Sequence, residues 1–401
     1  MKILMISGIY GSRSSGRSMK ELTEKCRQNG HTVYIVTPQK FCDDKDFYRI
    51  GTTLDHKIHA LFSRAFGKQA YYSKGATKKL LKLIDEKNPD VIHVQVLHGN
   101  FIHFNHFFKE VAKRKIPVVF VLDDCWLFTG KCSHFTSAKC YKWQTGCQKC
   151  PQLQSCNPTW FFDRTKKMYS DKKAVYESLE RFGVVAVSDW LLSEAKKSIM
   201  GKATVIKRIY NSIDVDTFRP IESNLRQQLG LEDKFVVLGV ATCLDESKGL
   251  SLFKDLASKM PENYRIVFVG GLPQNTELPE NIMHVGHTES VEELAKYYSM
   301  ADVFVQMSVE ETFGKVTAEA LSCGTPAIVF NSTANPELIG ENCGYVVEPK
   351  DVDGVLEKLK EIEAMGKAFY TEKCRKFIVE SMNKETTLSE FIDVYKELIE
   401  R

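Results

Sequence analysis

Eleven short, almost wholly apolar runs alternate with helical segments along this chain, and that alternation restricts the fold more than any other feature. In the first half the runs are residues 3–7, 33–37, 91–94, 118–122 and 184–187. In the second half they are 235–240, 265–269, 282–285, 303–305, 327–330 and 345–347. Runs of three to six positions, nearly all apolar and rich in Val, Ile and Leu, fit parallel strands covered on both faces. At 401 residues the chain exceeds one ordinary domain, so the pattern predicts two doubly wound α/β domains of similar size. The junction is expected near 203–220, giving domains at 1–205 and 206–380. A last helix, 381–401, has a capping box expected from Thr387 and Glu390.

The most specific block lies between the ninth and tenth runs. Strand 303–305 leads into Glu311-Thr312-Phe313-Gly314-Lys315, then a helix carrying Glu319, eight positions after Glu311. A helix start behind a glycine offers unpaired N–H groups and a positive dipole end, which suits a diphosphate. Carboxylates accept hydrogen bonds from vicinal hydroxyls, so Glu311 and Glu319 suit sugar and ribose on either side of that diphosphate. Taken alone, two glutamates on an amphipathic helix read more readily as a solvated face, and the whole block reverses that reading.

Three further turns follow strands. Residues 8–17 (Gly-Ile-Tyr-Gly-Ser-Arg-Ser-Ser-Gly-Arg) precede a helix expected from Ser18, and Gly16 and Arg17 are placed to meet an anion there. The Gly-x-Gly-x-x-Gly dinucleotide spacing is absent. Lys248, after strand 235–240, can stabilise a leaving phosphate, although a surface lysine reads the same way. His98 and the pair Asp123-Asp124 follow two consecutive strands, where open α/β sheets place ligand contacts. His93, inside its strand, reads as packed and structural.

The block from Ala301 to Phe330 resembles the nucleotide-sugar site of the family 4 retaining glycosyltransferases, and the resemblance can be followed along nearly the whole chain. It is similar to a bacterial subgroup of colanic-acid type that builds exopolysaccharide, capsule and lipopolysaccharide. The resemblance implies the GT-B fold, two Rossmann-like domains facing across a cleft with the last helix crossing back onto the first. It implies Glu311 at the transferred sugar, Glu319 at the ribose, and backbone donors of Thr312, Phe313, Gly314 and Lys315 at the diphosphate. Gly16 matches the family's N-terminal glycine loop, which faces the donor diphosphate across the cleft, and no metal or cofactor is required for catalysis. The chain departs from the family in three places: Cys243 replaces an arginine five positions before Lys248, Asp123 replaces a histidine, and Ser212 replaces a glycine. The first departure leaves Lys315 or Arg17 to compensate at the phosphates.

Half of the twelve cysteines fall between 125 and 156. Cys132, Cys140, Cys147 and Cys150 can close one loop around a structural zinc, with reduced packing cysteines as the alternative.

Charge is divided between the halves. Residues 1–205 carry 34 Lys and Arg against 18 Asp and Glu; subtracting these from 55 and 51 leaves 21 against 33. The basic half, and above all 57–87 with its interleaved aromatics, fits either an anionic membrane surface or a solvated helix face. No nucleic-acid motif accompanies it. No apolar run reaches the about 18 residues of a membrane span, and the chain starts directly on a strand, so a cytoplasmic, peripheral protein is expected. The expected function is hexose transfer from a nucleotide-diphosphate sugar, a UDP-sugar favoured, to a glycan or lipid-linked acceptor. The alternatives are a non-catalytic GT-B scaffold and a sugar-nucleotide epimerase.

Overall fold

Wherever the apolar runs are long enough to be covered on both faces, strands form, and all of them pair in parallel. The computed structural model describes residues 1–39 and 44–401. The chain divides into two units, Met1–Tyr210 with Thr387–Arg401, and Asn211–Thr386. The first holds β1 (Lys2–Ser7), β2 (Thr32–Thr37), β3 (Phe47–Arg49), β4 (Val91–Gln95), β5 (Val118–Leu122), β6 (Phe182–Ala186) and β7 (Val205–Arg208). They form one sheet in the order β3-β2-β1-β4-β5-β6-β7. The second holds β8 (Phe235–Cys243), β9 (Tyr264–Gly271), β10 (Ile282–Val285), β11 (Val303–Gln306), β12 (Ala327–Phe330) and β13 (Gly344–Val347), ordered β10-β9-β8-β11-β12-β13.

Each sheet therefore reverses its winding once, between β1 and β4 and between β8 and β11. In doubly wound sheets the loops leaving the carboxyl ends of such strands diverge, and the crevice between them is the usual ligand position. The edge strands β3 and β7 were not anticipated. In β3 only Phe47 is buried, and in β7 only Val205 is, so neither shows the continuous apolar run that marks an inner strand.

The last helix, Lys384–Glu400, starts three residues before the expected cap. Thr387 is buried inside it, and the Asn383 side chain instead accepts the Glu385 amide at 2.8 Å. Its apolar face packs within the first unit, where Tyr395 hydroxyl and His93 Nδ1 lie 2.7 Å apart.

Burial holds the His93 imidazole down at about 4, below its ordinary 6.5. A base with a depressed folded pKa contributes stability that is present above the unfolded value and is lost as pH falls through the window down to the folded one. Across pH 6.5 to 4 the linkage amounts to roughly 3 kcal/mol. The melting temperature is expected to fall more steeply over that window in the wild type than in His93→Gln. Equal slopes in pH-dependent melts would remove His93 as the cause.

Candidate functional site

In the second unit, β8 ends in an irregular pairing at Ala241 and Cys243, and the chain then makes a single turn of 3-10 helix, Glu246–Lys248. Asp245 caps that turn by accepting the Ser247 amide at 2.9 Å and its hydroxyl at 2.6 Å. Gly249 follows with φ 84°, and a Cβ there would stand 2.5 Å from Met307 Cβ. Only glycine permits this approach, which presses the β8 loop against the end of β11. The approach sets Lys248 opposite Glu311. Lys248 Nζ donates to Glu311 Oε1 at 2.5 Å, and Gln306 Nε2 donates to the same oxygen at 2.8 Å. The Glu311 amide in turn donates to Thr333 Oγ1 at 2.9 Å.

Lys248 and Glu311 thus meet at the β8/β11 switch point, drawn from loops 63 residues apart. The lysine side chain keeps 34% of its surface exposed and the glutamate 15%, so the pair is reachable yet shielded. A charge pair in that setting interacts more strongly than it would in bulk water.

Gly314, at φ 90°, caps the helix Lys315–Ser322, whose first amides point away from the helix body. Phe313 and Lys315 are buried. What Phe313 can offer a ligand is therefore its backbone, and the Lys315 side chain is not displayed as a surface cation in place of the arginine missing at Cys243. Cys243 itself is exposed. Glu319 is 1% exposed and accepts the Tyr298 hydroxyl at 3.1 Å. The two glutamates therefore have different settings: Glu311 at the loop rim and Glu319 inside the unit.

In the first unit the helix after β1 begins at Arg13, not Ser18. Gly16 consequently lies in its first turn, buried, where a Cβ would stand 2.7 Å from Ile9 Cγ2. Its smallness lets the helix start pack on the Gly8–Gly11 turn, and the exposed residues of that start are Ser12, Arg13 and Ser14. Arg17 is half-buried in the same turn.

The acceptor-side candidates do come together. His98 Nε2 lies 3.4 Å from Asp124 Oδ2, and its ring stacks on Trp126 at 6.1 Å. Asp124 also accepts the Trp126 amide at 2.8 Å, and Gln95 Nε2 donates to Asp123 at 2.6 Å. Trp126 is fixed from beneath by the buried Lys172, whose ammonium sits 3.5 Å from the ring centroid and donates to the Trp126 and Thr129 carbonyls.

The cysteines of the expected zinc set take different hydrogen-bond partners. Cys132 shares hydrogen bonds with Cys150 and Cys156, while Cys147 Sγ turns to the Gly130 amide at 3.2 Å. Among the described residues no three His, Cys, Asp or Glu side chains are grouped to hold a metal ion. Hydrogen bonding to Cys132 lowers the thiols of Cys150 and Cys156 below their ordinary value.

Gln306, Thr333, Tyr298, Gln95 and Trp126 were not singled out from the sequence. A signal existed for two of them, since Gln95 and Gln306 each follow a buried apolar run as the last strand residue.

Two all-parallel sheets, each with one switch point, and the Lys–Glu pair ahead of a glycine-capped helix define the class as a GT-B glycosyltransferase architecture. Residues 15–217 match Glycosyltransferase Family 4, and residues 221–382 match Glycosyl transferases group 1. The chain belongs to glycosyltransferase family 4. It is 26% identical over 273 residues to the putative colanic acid biosynthesis glycosyl transferase WcaC of Escherichia coli, covering 66% of this chain and 65% of that protein. It is 23% identical to the uncharacterized glycosyltransferase MJ1607 of Methanocaldococcus jannaschii, covering 99% of this chain and 98% of that one. Among solved structures, Anabaena HepE in complex with UDP superimposes with a TM-score of 0.70 at 15% identity, over 99% of this chain and all of that one.

Proposed function

We propose that this protein is a retaining transferase that moves a hexose from a nucleotide-diphosphate sugar, a UDP-sugar favoured, to a growing lipid-linked surface polysaccharide at an anionic membrane face. The observation that carries the reading is the Lys248–Glu311 pair at the β8/β11 switch point, beside the helix start at Gly314. The complexes of HepE with UDP and UDP-glucose and the colanic acid name of WcaC support the donor and acceptor classes. In the reaction, the bond from the anomeric carbon to the diphosphate oxygen breaks. The acceptor oxygen bonds to the same face, and the acceptor's proton passes to the departing phosphate. Lys248 and the amides at Gly314–Lys315 stabilise the charge that builds on that phosphate, and Glu311 and Glu319 hold sugar and ribose hydroxyls. On the acceptor side, His98, Asp123 and Asp124 orient the incoming hydroxyl.

A thermal-shift panel of UDP-glucose, UDP-galactose, GDP-mannose and ADP-glucose tests the donor. At a hundredfold excess over Kd one of them is expected to stabilise the donor-binding unit by about 2.7 kcal/mol, or roughly 5–11 °C. A flat panel at millimolar ligand would favour the non-catalytic scaffold.

A further inference from the structure

One helix of the first unit is turned the wrong way round for a soluble fold. In Thr53–Phe66 the buried residues are His59 and Ser63. His59 Nδ1 lies 2.6 Å from Ser73 Oγ, and Ser63 Oγ donates to Asn100 Oδ1 at 3.3 Å, so a polar seam faces the protein. The outward stripe is apolar: Leu54, Ile58, Leu61, Phe62 and Phe66, each at least 40% exposed. Helices of globular proteins bury the apolar stripe instead, so this face is made for something other than water.

A second element extends the stripe. Trp160, Phe161 and Phe162 are consecutive, and Phe161 is 72% exposed. The Trp160 amide donates to the Arg64 carbonyl at 2.7 Å, which fastens this loop to the last turn of the helix. Gly67 then makes room for it, since a Cβ there would lie 2.1 Å from the Phe162 carbonyl oxygen. Of the twelve exposed large apolar side chains among the described residues, eight belong to these two elements. Such concentration is not the scatter of single exposed residues normal on protein surfaces.

The charges around the patch point to its occupant. Lys57, Arg64, Lys68 and Arg164 sit on or beside it with no carboxylate partner among the described residues, and Arg164 lies 5.0 Å from the Phe162 ring centroid. The two nearby acids are exposed but already accept local hydrogen bonds. Asp55 accepts the Thr52 amide and hydroxyl, and Asp163 accepts the amides of Cys150 and Thr165. A second copy docking through the same face would set these four cations against their own images. An anionic bilayer offers the opposite: hydrocarbon for Leu, Ile and Phe, an interface for Trp, and phosphates for Lys and Arg.

We infer that the helix Thr53–Phe66 and the loop Trp160–Phe162 form one membrane-docking edge that lies in the headgroup layer of an anionic phospholipid bilayer. This deepens the membrane-side acceptor reading, yet it rests on exposure and charge in the first unit and not on the donor site.

The test is cosedimentation of the full chain with vesicles of phosphatidylcholine alone and of phosphatidylcholine with phosphatidylglycerol. Wild type is expected to bind the phosphatidylglycerol vesicles. Phe62→Ser with Phe161→Ser lowers that binding roughly tenfold or more. Lys57→Glu with Arg64→Glu abolishes the preference for the anionic vesicles, at roughly fivefold per charge. Sedimentation velocity and UDP-glucose thermal shift on the same proteins report assembly, folding and donor binding separately. Equal vesicle binding by wild type and variants, or no binding by wild type at low salt, overturns the inference. So does a wild-type dimer that the Phe variant dissolves, which assigns the face to a second copy. Failure of the donor shift alone overturns the donor reading and leaves the docking edge standing.

Discussion

Replacing Lys248 by alanine is expected to lower sugar transfer roughly 10²–10³-fold and to weaken nucleoside diphosphate binding, with little loss of fold stability. The first part follows from where the charge goes. When the anomeric bond breaks, the diphosphate gains negative charge, and Lys248 is the cation that the β8 loop brings to Glu311 at the switch point. With Cys243 in place of an arginine and Lys315 buried, no second cation of the expected set compensates from this unit's strand ends. The second part follows from exposure. About a third of the lysine side chain is open to water, and such pairs contribute only about 0–1 kcal/mol to folding. Glu311 keeps its Gln306 hydrogen bond after the substitution. The melting temperature should therefore stay within about 4 °C of wild type. Lys248→Arg preserves the charge and is expected to recover part of the loss. Wild-type transfer by Lys248→Ala would reject the assignment.

How far the sequence could be read depends on which forces act locally. All six strands of the second unit were legible: the four inner ones leave nearly uninterrupted apolar runs, and the edges Ile282–Val285 and Gly344–Val347 still carry three apolar residues in four. β3 and β7 were not, since Val205–Arg208 mixes Val and Ile with Lys and Arg and so lacks the apolar run that marks the other edges. The positions of Glu311, Gly314 and Lys248 were legible from their loops. Their contact was not, because it depends on Gly249 lying against Met307, 58 residues further along the chain. Gly16 was placed in a loop because its small neighbours read as a turn, whereas packing against Ile9 lets the helix begin five residues earlier than Ser18. The hydrogen bonding among the cysteines was not legible for a similar reason. Clustering in one loop suggested Cys132, Cys140, Cys147 and Cys150, and the folded loop gives Cys132 the partners Cys150 and Cys156. The inverted helix was half legible: its basic and aromatic content stood out, while its buried polar seam requires Ser73 and Asn100 from other segments.

Glu311→Gln separates binding from transfer, and the two readouts are expected to move apart. In the free protein the carboxylate neutralises Lys248 at 2.5 Å. A diphosphate arriving at the same lysine must compete with that carboxylate and also meet its repulsion. Glutamine keeps the size and can still accept from Gln306, but it removes the charge. Nucleoside diphosphate should then bind as tightly as to wild type or several-fold more tightly, because the lysine is released to the phosphates. Sugar transfer should fall by roughly a hundredfold, because the hydroxyl-accepting carboxylate that holds the hexose in line has lost its charge. Isothermal titration with UDP and an initial-rate assay with saturating donor measure the two quantities independently. The pair Lys248→Ala and Glu311→Gln then forms a signed test: one variant loses nucleotide affinity and the other does not, while both lose turnover. Parallel losses of nucleotide affinity in the two variants would mean that the pair serves only to hold the β8 and β11 loops together, and the assignment of separate phosphate and sugar roles would fall.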